Sequence, residues 1–353
     1  MIDRSPTGGP KIAGAGPHTG VVREIHREQV VVEARALVWI GGRLFDVAAG
    51  RRSVSFDGSP PSQRFGPYGA QFDAATISPR GDVIALMAST GTKALLFTPD
   101  GELIRELNRS YYQAQSYRYP LALFTLPDGR TGLAHCPEEY NRLEIEVAAT
   151  GERLTAADRD TTDVFHSRLA VSRSGRYLLS AGWVWHPWDC VAVYDLHRAL
   201  ADATTLDSWH GTFDMPREVG AEVSGACFIG DDVVLNTSPE EYDPQSPEEL
   251  EPNTVARWST ATETFTWRRR LDRTAGDLVP IGGDFLALYE HPRLFDGSTG
   301  ELLAEWPDLP TGTAASSIVP GESFSGPARI AVDEAGSRFA VTDGTKVTVV
   351  HLG

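Results

Sequence analysis

Residues 168–196, RLAVSRSGRYLLSAGWVWHPWDCVAVYDL, decide the fold of this chain. Polar and apolar residues alternate over 168–172, a turn follows at Ser174-Gly175, and 177–180 is apolar. A loop with three tryptophans leads to a second alternating run at 191–194. Two such runs joined by a Gly-containing turn are the strongest local signal for a β-hairpin. The stretch therefore predicts three consecutive antiparallel strands.

The last strand of this stretch recurs along the chain. Apolar runs that end in an aromatic or apolar residue before a turn, often with Asp, begin at residues 43, 94, 143, 191, 255, 292 and 346. Their average spacing of about 50 residues is close to the period of propeller repeats. Most are preceded by a hairpin with a Gly turn, as in 74–87, and the best candidate for a short helix is 196–206. The pattern predicts an all-β fold.

Seven repeats of four strands predict a seven-bladed β-propeller, a ring of four-stranded blades around a central channel. The last repeat stops at its third strand, at Gly353. An unpaired outer edge would invite aggregation, so we expect 21–28 to supply the closing strand. Residues 1–353 then form a single propeller domain, with 1–20 irregular. The sequence does not place the first inner strand within 29–36, and a six-bladed ring with an irregular N-terminal segment is the structural alternative.

The repeat resembles the WD-repeat superfamily and its bacterial relatives of the YVTN and quinoprotein-like type, from about residue 30 onward. The position of the WD dipeptide holds Tyr194-Asp195, Phe45-Asp46 and Phe295-Asp296, but Ile145-Glu146 and Trp258-Ser259 in other repeats. The Gly-His pair that usually opens such a repeat is absent from every copy. The resemblance implies the propeller fold and a binding role, but the buried Asp–His network of the superfamily cannot be carried over.

The composition argues against some classes of partner and indicates a cell compartment. The formal net charge is −16, from 32 basic and 48 acidic residues. This balance argues against nucleic acid and against anionic membrane surfaces, which need clustered Lys and Arg. No apolar run reaches the roughly 18 residues of a membrane span, and the first residues lack a signal-peptide pattern. We therefore expect a cytoplasmic protein. The excess of Arg over Lys points to a GC-rich, bacterial genome.

The long loops of the repeats carry the chemistry. Loops between second and third strands share one face of a propeller, here called the top, with the loops between blades. The second-to-third loops of blades 3 to 6 are rich in Glu, His, Tyr and Trp, whereas the bottom turns are short and Gly-containing. We predict a binding platform on this face for a protein or peptide partner with a basic surface. The alternative is that proline merely ends these strands and the charges are solvated.

The predicted contact residues combine aromatic and acidic side chains: Tyr117, Glu138, Glu139, Tyr140, Trp185, His186, Trp188, Asp189, Glu240, Glu241, Tyr242 and His291. Within the loop WVWHPWD, Trp183 and Trp185 are expected to face the same way and to pack in the core. Trp188, beside His186, is then expected to be exposed, where it would contact a ligand or partner.

A metal site is a weaker hypothesis. His135, Cys136, His166, His186 and Cys190 are residue types that bind zinc, but their spacing includes no tight ligand pair. We therefore expect no metal and no cofactor. The three cysteines form no CxxC motif, which favours reduced, buried thiols.

An enzyme is the alternative function. A lyase, hydrolase or biosynthetic enzyme would hold a small molecule at the top of the channel, among His135, His166, Arg168, His186, Glu290 and Arg329. Arg168 and Arg329 occupy matching places on inner strands and together could bind a carboxylate or phosphate. The competing interpretation is that each arginine pairs with a neighbouring acid. No GxSxG, Walker, GxGxxG, HExxH or EF-hand motif is present, so the sequence leaves open whether any reaction is catalysed.

Overall fold

Seven antiparallel sheets form the blades of a ring, as the repeats predict. The computed structural model describes residues 24–69, 71–213, 222–240, 250–319 and 327–353. The inner strands of neighbouring blades contact one another all the way around, so the ring is closed. Among the described residues, no helix has the length and apolar character needed to cross a membrane.

The strands follow one another around the ring in chain order, except that the first strand completes the last blade. The first strand is β1 (Glu24–Val31). Blade 1 consists of β2 (Leu37–Ile40), β3 (Arg43–Asp46) and β4 (Arg52–Ser53). Blade 2 consists of β5 (Ala74–Ile77), β6 (Ile84–Met87), β7 (Lys93–Phe97) and β8 (Leu103–Asn108). Blade 3 consists of β9 (Leu121–Thr125), β10 (Thr131–His135) and β11 (Glu144–Val147).

Blade 4 is the most elaborate. It consists of β12 (Val164–Phe165), β13 (Ala170–Val171), β14 (Tyr177–Val184) and β15 (Trp188–Asp195), followed by the helix α1 (Leu196–Ala201). Asp195 begins α1 by accepting hydrogen bonds from the amides of His197 and Arg198. A 3-10 helix, Ala203–Leu206, completes the predicted helical segment.

The remaining blades are regular. Blade 5 consists of β16 (Val223–Ile229), β17 (Asp232–Thr237), β18 (Thr254–Ser259) and β19 (Thr264–Arg270). Blade 6 consists of β20 (Leu278–Ile281), β21 (Asp284–Ala287), β22 (Arg293–Phe295) and β23 (Leu302–Glu305). Blade 7 consists of β24 (Ile330–Asp333), β25 (Arg338–Thr342), β26 (Lys346–Leu352) and β1.

The outer position is irregular in three blades. In blade 3 the amide of Leu154 donates to the carbonyl of Ile145, so chain beyond β11 continues the ladder without forming a full strand. In blade 1 the amide of Ser53 donates to the carbonyl of Ser62. In blade 4 the amide of Thr212 donates to the carbonyl of Val193. The four-strand plan is therefore kept throughout, with the fourth position filled by loop in these blades.

The apolar core is divided among the seven interfaces between neighbouring blades. Alternate residues of a middle strand serve different interfaces: Leu178 of β14 packs against blade 3, whereas Leu179 packs against blade 5. Because both faces of these strands are buried, their sequences are apolar throughout rather than alternating. Strand packing holds the ring together, as expected without the Asp–His network.

The N-terminal strand closes the ring, which confirms the predicted closure. β1 pairs antiparallel with β26, with Gln29 opposite Thr348. The strand spans 24–31 rather than the predicted 21–28; residues 1–23 lie outside the described part of the chain. Indole Nε1 of Trp306 in blade 6 donates to Glu24 at 2.7 Å, so the same strand also contacts a neighbouring blade.

Blade 1 corrects the predicted repeat alignment. The run that begins at residue 43 is a second strand, not a third, and the inner strand is β2, outside 29–36. Gly41 and Gly42, at φ 55° and 73°, turn β2 back into β3. Indole Nε1 of Trp39 donates to the carbonyl of Ala331 on inner strand β24, which places β2 in the inner ring.

Candidate functional site

An aromatic patch lies on the top face where blades 3 and 4 meet. We define it as Tyr112, Tyr140, Phe165, Trp183 and Trp185. Phe165 stacks on Trp183 with ring centroids 3.9 Å apart and planes 4° from parallel. Tyr140 stacks on Phe165 at 4.5 Å, and Tyr112 lies 4.9 Å beyond Tyr140. The rings thus form a continuous series from the buried Trp183 to Tyr112, which is 46% exposed.

The patch is assembled from four separate segments. Trp183 lies on β14 and Phe165 on β12, which pairs with the upper end of β14. Tyr140 comes from the second-to-third loop of blade 3, and Tyr112 from the loop between blades 2 and 3. β14 has eight residues, against four to six in the other second strands, so blade 4 extends furthest toward the top.

The tip of the β14–β15 hairpin reverses two of the tryptophan predictions. Val184 pairs with Trp188, so the turn contains only 185–187, with His186 at φ 87°. Trp185 is 42% exposed and packs edge-to-face on Trp183 at 5.2 Å. Trp188 begins β15 and is half-buried. The pairing register explains this result, because it draws Trp188 into the sheet and leaves Trp185 at the turn.

Arg109 holds the loop that carries Tyr112. This residue is 3% exposed, and its guanidinium donates to the carbonyls of Gly91, Ala114, Tyr117 and Arg118. The same guanidinium lies 4.3 Å from the ring centroid of Tyr117 and 5.0 Å from that of Tyr119. Tyr117 itself is fully buried beneath the patch, and burial raises its pKa to about 12. This burial does not support its predicted role as a contact residue, which stays a prediction.

Carboxylates lie on both sides of the patch. Asp163 accepts a hydrogen bond from the Tyr140 hydroxyl at 2.6 Å, and Glu138 and Glu139 are exposed on the same side. On the side of blade 5, Glu222 accepts from the amide of Asp189. Burial raises the pKa of Glu222, and the nearby charges of Asp189 and Glu240 raise it further. The top face thus combines exposed aromatic rings with negative charge.

A segment from the other side of the ring crosses to the patch. We call residues 313–319 the strap. The amide and hydroxyl of Ser317 donate to Oδ1 of Asp189, and the hydroxyl also lies 2.6 Å from the carbonyl of Gly182. The amide of Val319 donates to the carbonyl of Ser116. Asp189, predicted as a contact residue, is instead buried and anchors the strap; burial raises its pKa.

Beneath the strap, the channel mouth holds two arginines and one aspartate. Asp277 contacts Nη1 of Arg118 at 2.6 Å through Oδ2 and Nη1 of Arg168 at 3.0 Å through Oδ1. Burial opposes ionisation of Asp277, but the two guanidiniums outweigh it and keep its pKa below the usual range. Arg168 thus pairs with an acid, as the competing interpretation expected. Neither Arg118 nor Asp277 stood out in the sequence.

The structure does not bring the six candidate catalytic residues together. His166 is buried and its Nδ1 lies 3.1 Å from the Ser180 hydroxyl. His135 is buried inside blade 3, with Nε2 at 3.3 Å from Glu146. Arg168 lines the channel cavity, whereas the half-buried Arg329 lines a shallow pocket beside Thr342. His186 is exposed at the hairpin tip, and the backbone of Glu290 pairs with Gly312 in blade 6.

The remaining predicted residues are placed as follows. Glu240 is exposed beside blade 5, whereas His291 is buried in blade 6 with Nε2 at 3.3 Å from Glu305. Glu241 and Tyr242 lie outside the described residues. Across the described ranges, no three His, Cys, Asp or Glu side chains are grouped so that they could hold a metal ion. The cysteines are free and buried, and burial raises their pKa values.

Comparison with known proteins supports the fold alone. No protein-family model matches the chain, and no curated protein sequence matches it. A chain of the solved structure titled "Crystal Structure of Mitotic Checkpoint Complex" is similar, with a TM-score of 0.57 at 9% sequence identity. The similarity covers 99% of this chain and 98% of that chain. Together with the seven blades, it bears out the predicted propeller fold.

Proposed function

We propose that this WD-repeat-like propeller is a binding platform whose aromatic patch receives a basic segment of a protein or peptide partner. The observation that carries the proposal is the series of stacked rings from Trp183 to the exposed Tyr112 and Trp185. Aromatic side chains provide broad contact area at little cost in conformational entropy. Here the stacking fixes the rings in advance, so a partner would order few additional side chains.

The charge around the patch indicates which kind of partner would bind there. Asp163, Glu138 and Glu139 on one side, and Glu222 and Glu240 on the other, favour a partner rich in Lys or Arg. Basic side chains also bind well over aromatic faces. The solved neighbour belongs to a protein complex by its title, which agrees with a role in protein assembly. Glu241 and Tyr242 remain predicted extensions of this surface, and a cytoplasmic location remains an expectation.

The enzyme alternative receives less support. Its candidate residues are spread over separate environments: His135 and His166 are buried apart from the channel, and His186 is at a hairpin tip. A general acid or base must reach the reacting group within hydrogen-bond distance. The described residues offer no such shared position for this set.

The test is a selection of random displayed peptides on the immobilised protein. Peptides enriched on the wild type should be basic with aromatic or aliphatic residues, and their affinity should fall with rising salt. Trp185→Ala and Tyr112→Ala should each weaken the selected peptides at least tenfold, because exposed aromatic anchors dominate such interfaces. Both side chains are partly exposed, so thermal stability should change little.

Leu302→Ala is the matched control. Leu302 is 52% exposed on the outer strand of blade 6, away from the patch, so its removal should leave peptide binding unchanged. Selected peptides that are acidic, or that bind Trp185→Ala and wild type equally, would refute the platform at this position.

A further inference from the structure

The central channel contains a cavity that the proposed platform does not use. Its volume is about 350 Å³, within the range of small-molecule sites. Inner strands of six blades contribute to its wall, with Ala74, Leu121, Leu169, Ala226, Val279 and Ile330 as examples, one from each of blades 2 to 7. The wall is therefore largely apolar.

These apolar side chains are incompletely covered. Leu169, Val279 and Ile330 pack against neighbouring blades on one side and remain half-buried, although they lie at the centre of the molecule. The cavity-facing surface of these side chains is exposed to solvent. An apolar ligand in the cavity would cover this surface and remove it from water, which is favourable. The wall is thus suited to the hydrocarbon part of a ligand.

One end of the cavity is polar. Arg118, Arg168 and Asp277 lie there, and Asp277 gives one oxygen to each guanidinium. Nε of Arg168 donates to the carbonyl of Ala181 at 3.2 Å, which fixes the plane of its guanidinium. Nη2 of Arg168 is buried and has no hydrogen-bond partner among the described residues. A buried N–H donor without an acceptor is costly, and an added acceptor would relieve that cost.

The strap lies above this polar end. Ala314 lies close to Gly276, the residue before Asp277, since a Cβ added to Gly276 would be 2.8 Å from the Ala314 carbonyl. Ser317 then anchors the strap to blade 4 through Asp189. The described segment therefore runs from Gly276 of blade 6 to Asp189 of blade 4.

We propose that the channel cavity is a binding site for a small monocarboxylate with an apolar body. The carboxylate accepts from the guanidinium of Arg168, which lines the cavity, and the hydrocarbon part lies along the inner strands. Asp277 balances one of the two arginines, which leaves one positive charge at this end of the cavity. The site therefore suits one negative charge rather than a phosphate dianion.

The proposal is tested by calorimetric titration of the full chain with straight-chain carboxylates from butanoate to octanoate, and with the primary alcohols of the same lengths. Affinity should rise about fourfold per methylene, as expected for transfer of a CH₂ group from water to an apolar wall. Each carboxylate should bind at least tenfold more tightly than its alcohol, because the bond to Arg168 involves two charges. Absence of binding by every carboxylate would overturn the proposal.

Variants locate the site. Arg168→Met should weaken octanoate at least tenfold while leaving octanol unchanged, and Ala226→Leu should weaken both by filling the cavity. Arg130→Gln, which alters an exposed arginine of a bottom turn, is the matched control. If Arg168→Met fails to fold, Ala226→Leu still tests the position. Octanoate that binds Ala226→Leu as tightly as wild type would place the ligand elsewhere and reject the site, whatever the outcome for the aromatic patch.

Discussion

His166 shows how burial decides the role of a single residue. Its position two residues before Arg168 predicts a place at the channel mouth. In the structure its side chain is only 2% exposed and lies against Ser180 of β14. Burial lowers its pKa from 6.5 to about 3; the charge of Arg159 acts in the same direction, and a hydrogen bond to the backbone of Asn141 opposes it. The imidazole is therefore neutral near pH 7 and stabilises the fold in that form.

This shift predicts a loss of stability in mild acid. The unfolded chain takes up a proton on His166 below about pH 6.5, whereas the folded chain does so only near pH 3. The stabilisation is therefore complete above pH 6.5 and is lost progressively as the pH falls toward 3. Between pH 7 and pH 5 this residue alone should cost about 2 kcal/mol of unfolding free energy.

Urea unfolding of wild type and His166→Asn at both pH values measures this effect. The asparagine keeps a polar partner for Ser180 but cannot be protonated, so the variant should lose about 2 kcal/mol less than wild type over this interval. From pH 7 to pH 8.5 the two proteins should change in parallel, which is the internal control. Equal acid sensitivity of the two proteins would show that His166 is protonated in the folded state.

At the scale of elements, loops supply the exposed part of the candidate site, whereas its buried rings lie on strands. The loop over 110–120 has almost no regular structure apart from a short 3-10 helix, Ala114–Ser116. Its shape comes from Arg109, whose planar guanidinium reaches several carbonyls and two tyrosine rings at once. Nothing in the sequence of the loop indicates this arrangement, because its acceptors are backbone groups.

Arg109→Lys should therefore release the loop. A lysine ammonium keeps the charge but cannot reproduce a planar fork of donors, so at least one bond from a charged group is lost. We expect a cost of about 2 kcal/mol in unfolding free energy. Hydrogen exchange should become faster over 110–120, and the peptides selected on the wild type should bind less tightly because Tyr112 is no longer held.

Arg268→Lys makes the same substitution at an exposed arginine that lies 4.4 Å from the ring centroid of Phe265. It should change stability little and leave hydrogen exchange over 110–120 unaltered. A rigid loop in Arg109→Lys would mean that the tyrosines, rather than the guanidinium, maintain its shape.

The sequence is sufficient to predict the ring but not the contacts across it. Repeating hairpins specify seven blades because each strand is stabilised by its immediate neighbours. Blade 1 was misassigned because Phe45-Asp46 matches the end of a third strand, although VWIGGRLF resembles PIGGDFLAL of blade 6. The bond from Ser317 to Asp189 joins residues 128 positions apart, and no local pattern encodes such a pair.

Closure is the property of the whole molecule that the sequence predicts best. The last repeat contains only three strands, so its outer edge needs a partner strand from the N-terminal region. β1 supplies the backbone partners of β26, packs Val30 into the interface between blades 7 and 1, and contacts blade 6 through Glu24. Removing it leaves one long edge of β26 without partners and opens two interfaces. Because the ring is closed only when all seven interfaces form, we expect this loss to lower the stability of the whole ring rather than of blade 7 alone.

Deletion of residues 1–31 should accordingly give a protein that unfolds at much lower denaturant concentration and self-associates through the free edge, as followed by chemical denaturation and light scattering. Deletion of residues 1–23 keeps β1 and is the matched control. A synthetic peptide of residues 24–31 should bind the shorter protein, restore part of its stability and suppress self-association, because it supplies the missing ladder in trans. If the two deletions unfold alike, the ring does not depend on its N-terminal strand, and packing between blades alone holds it closed.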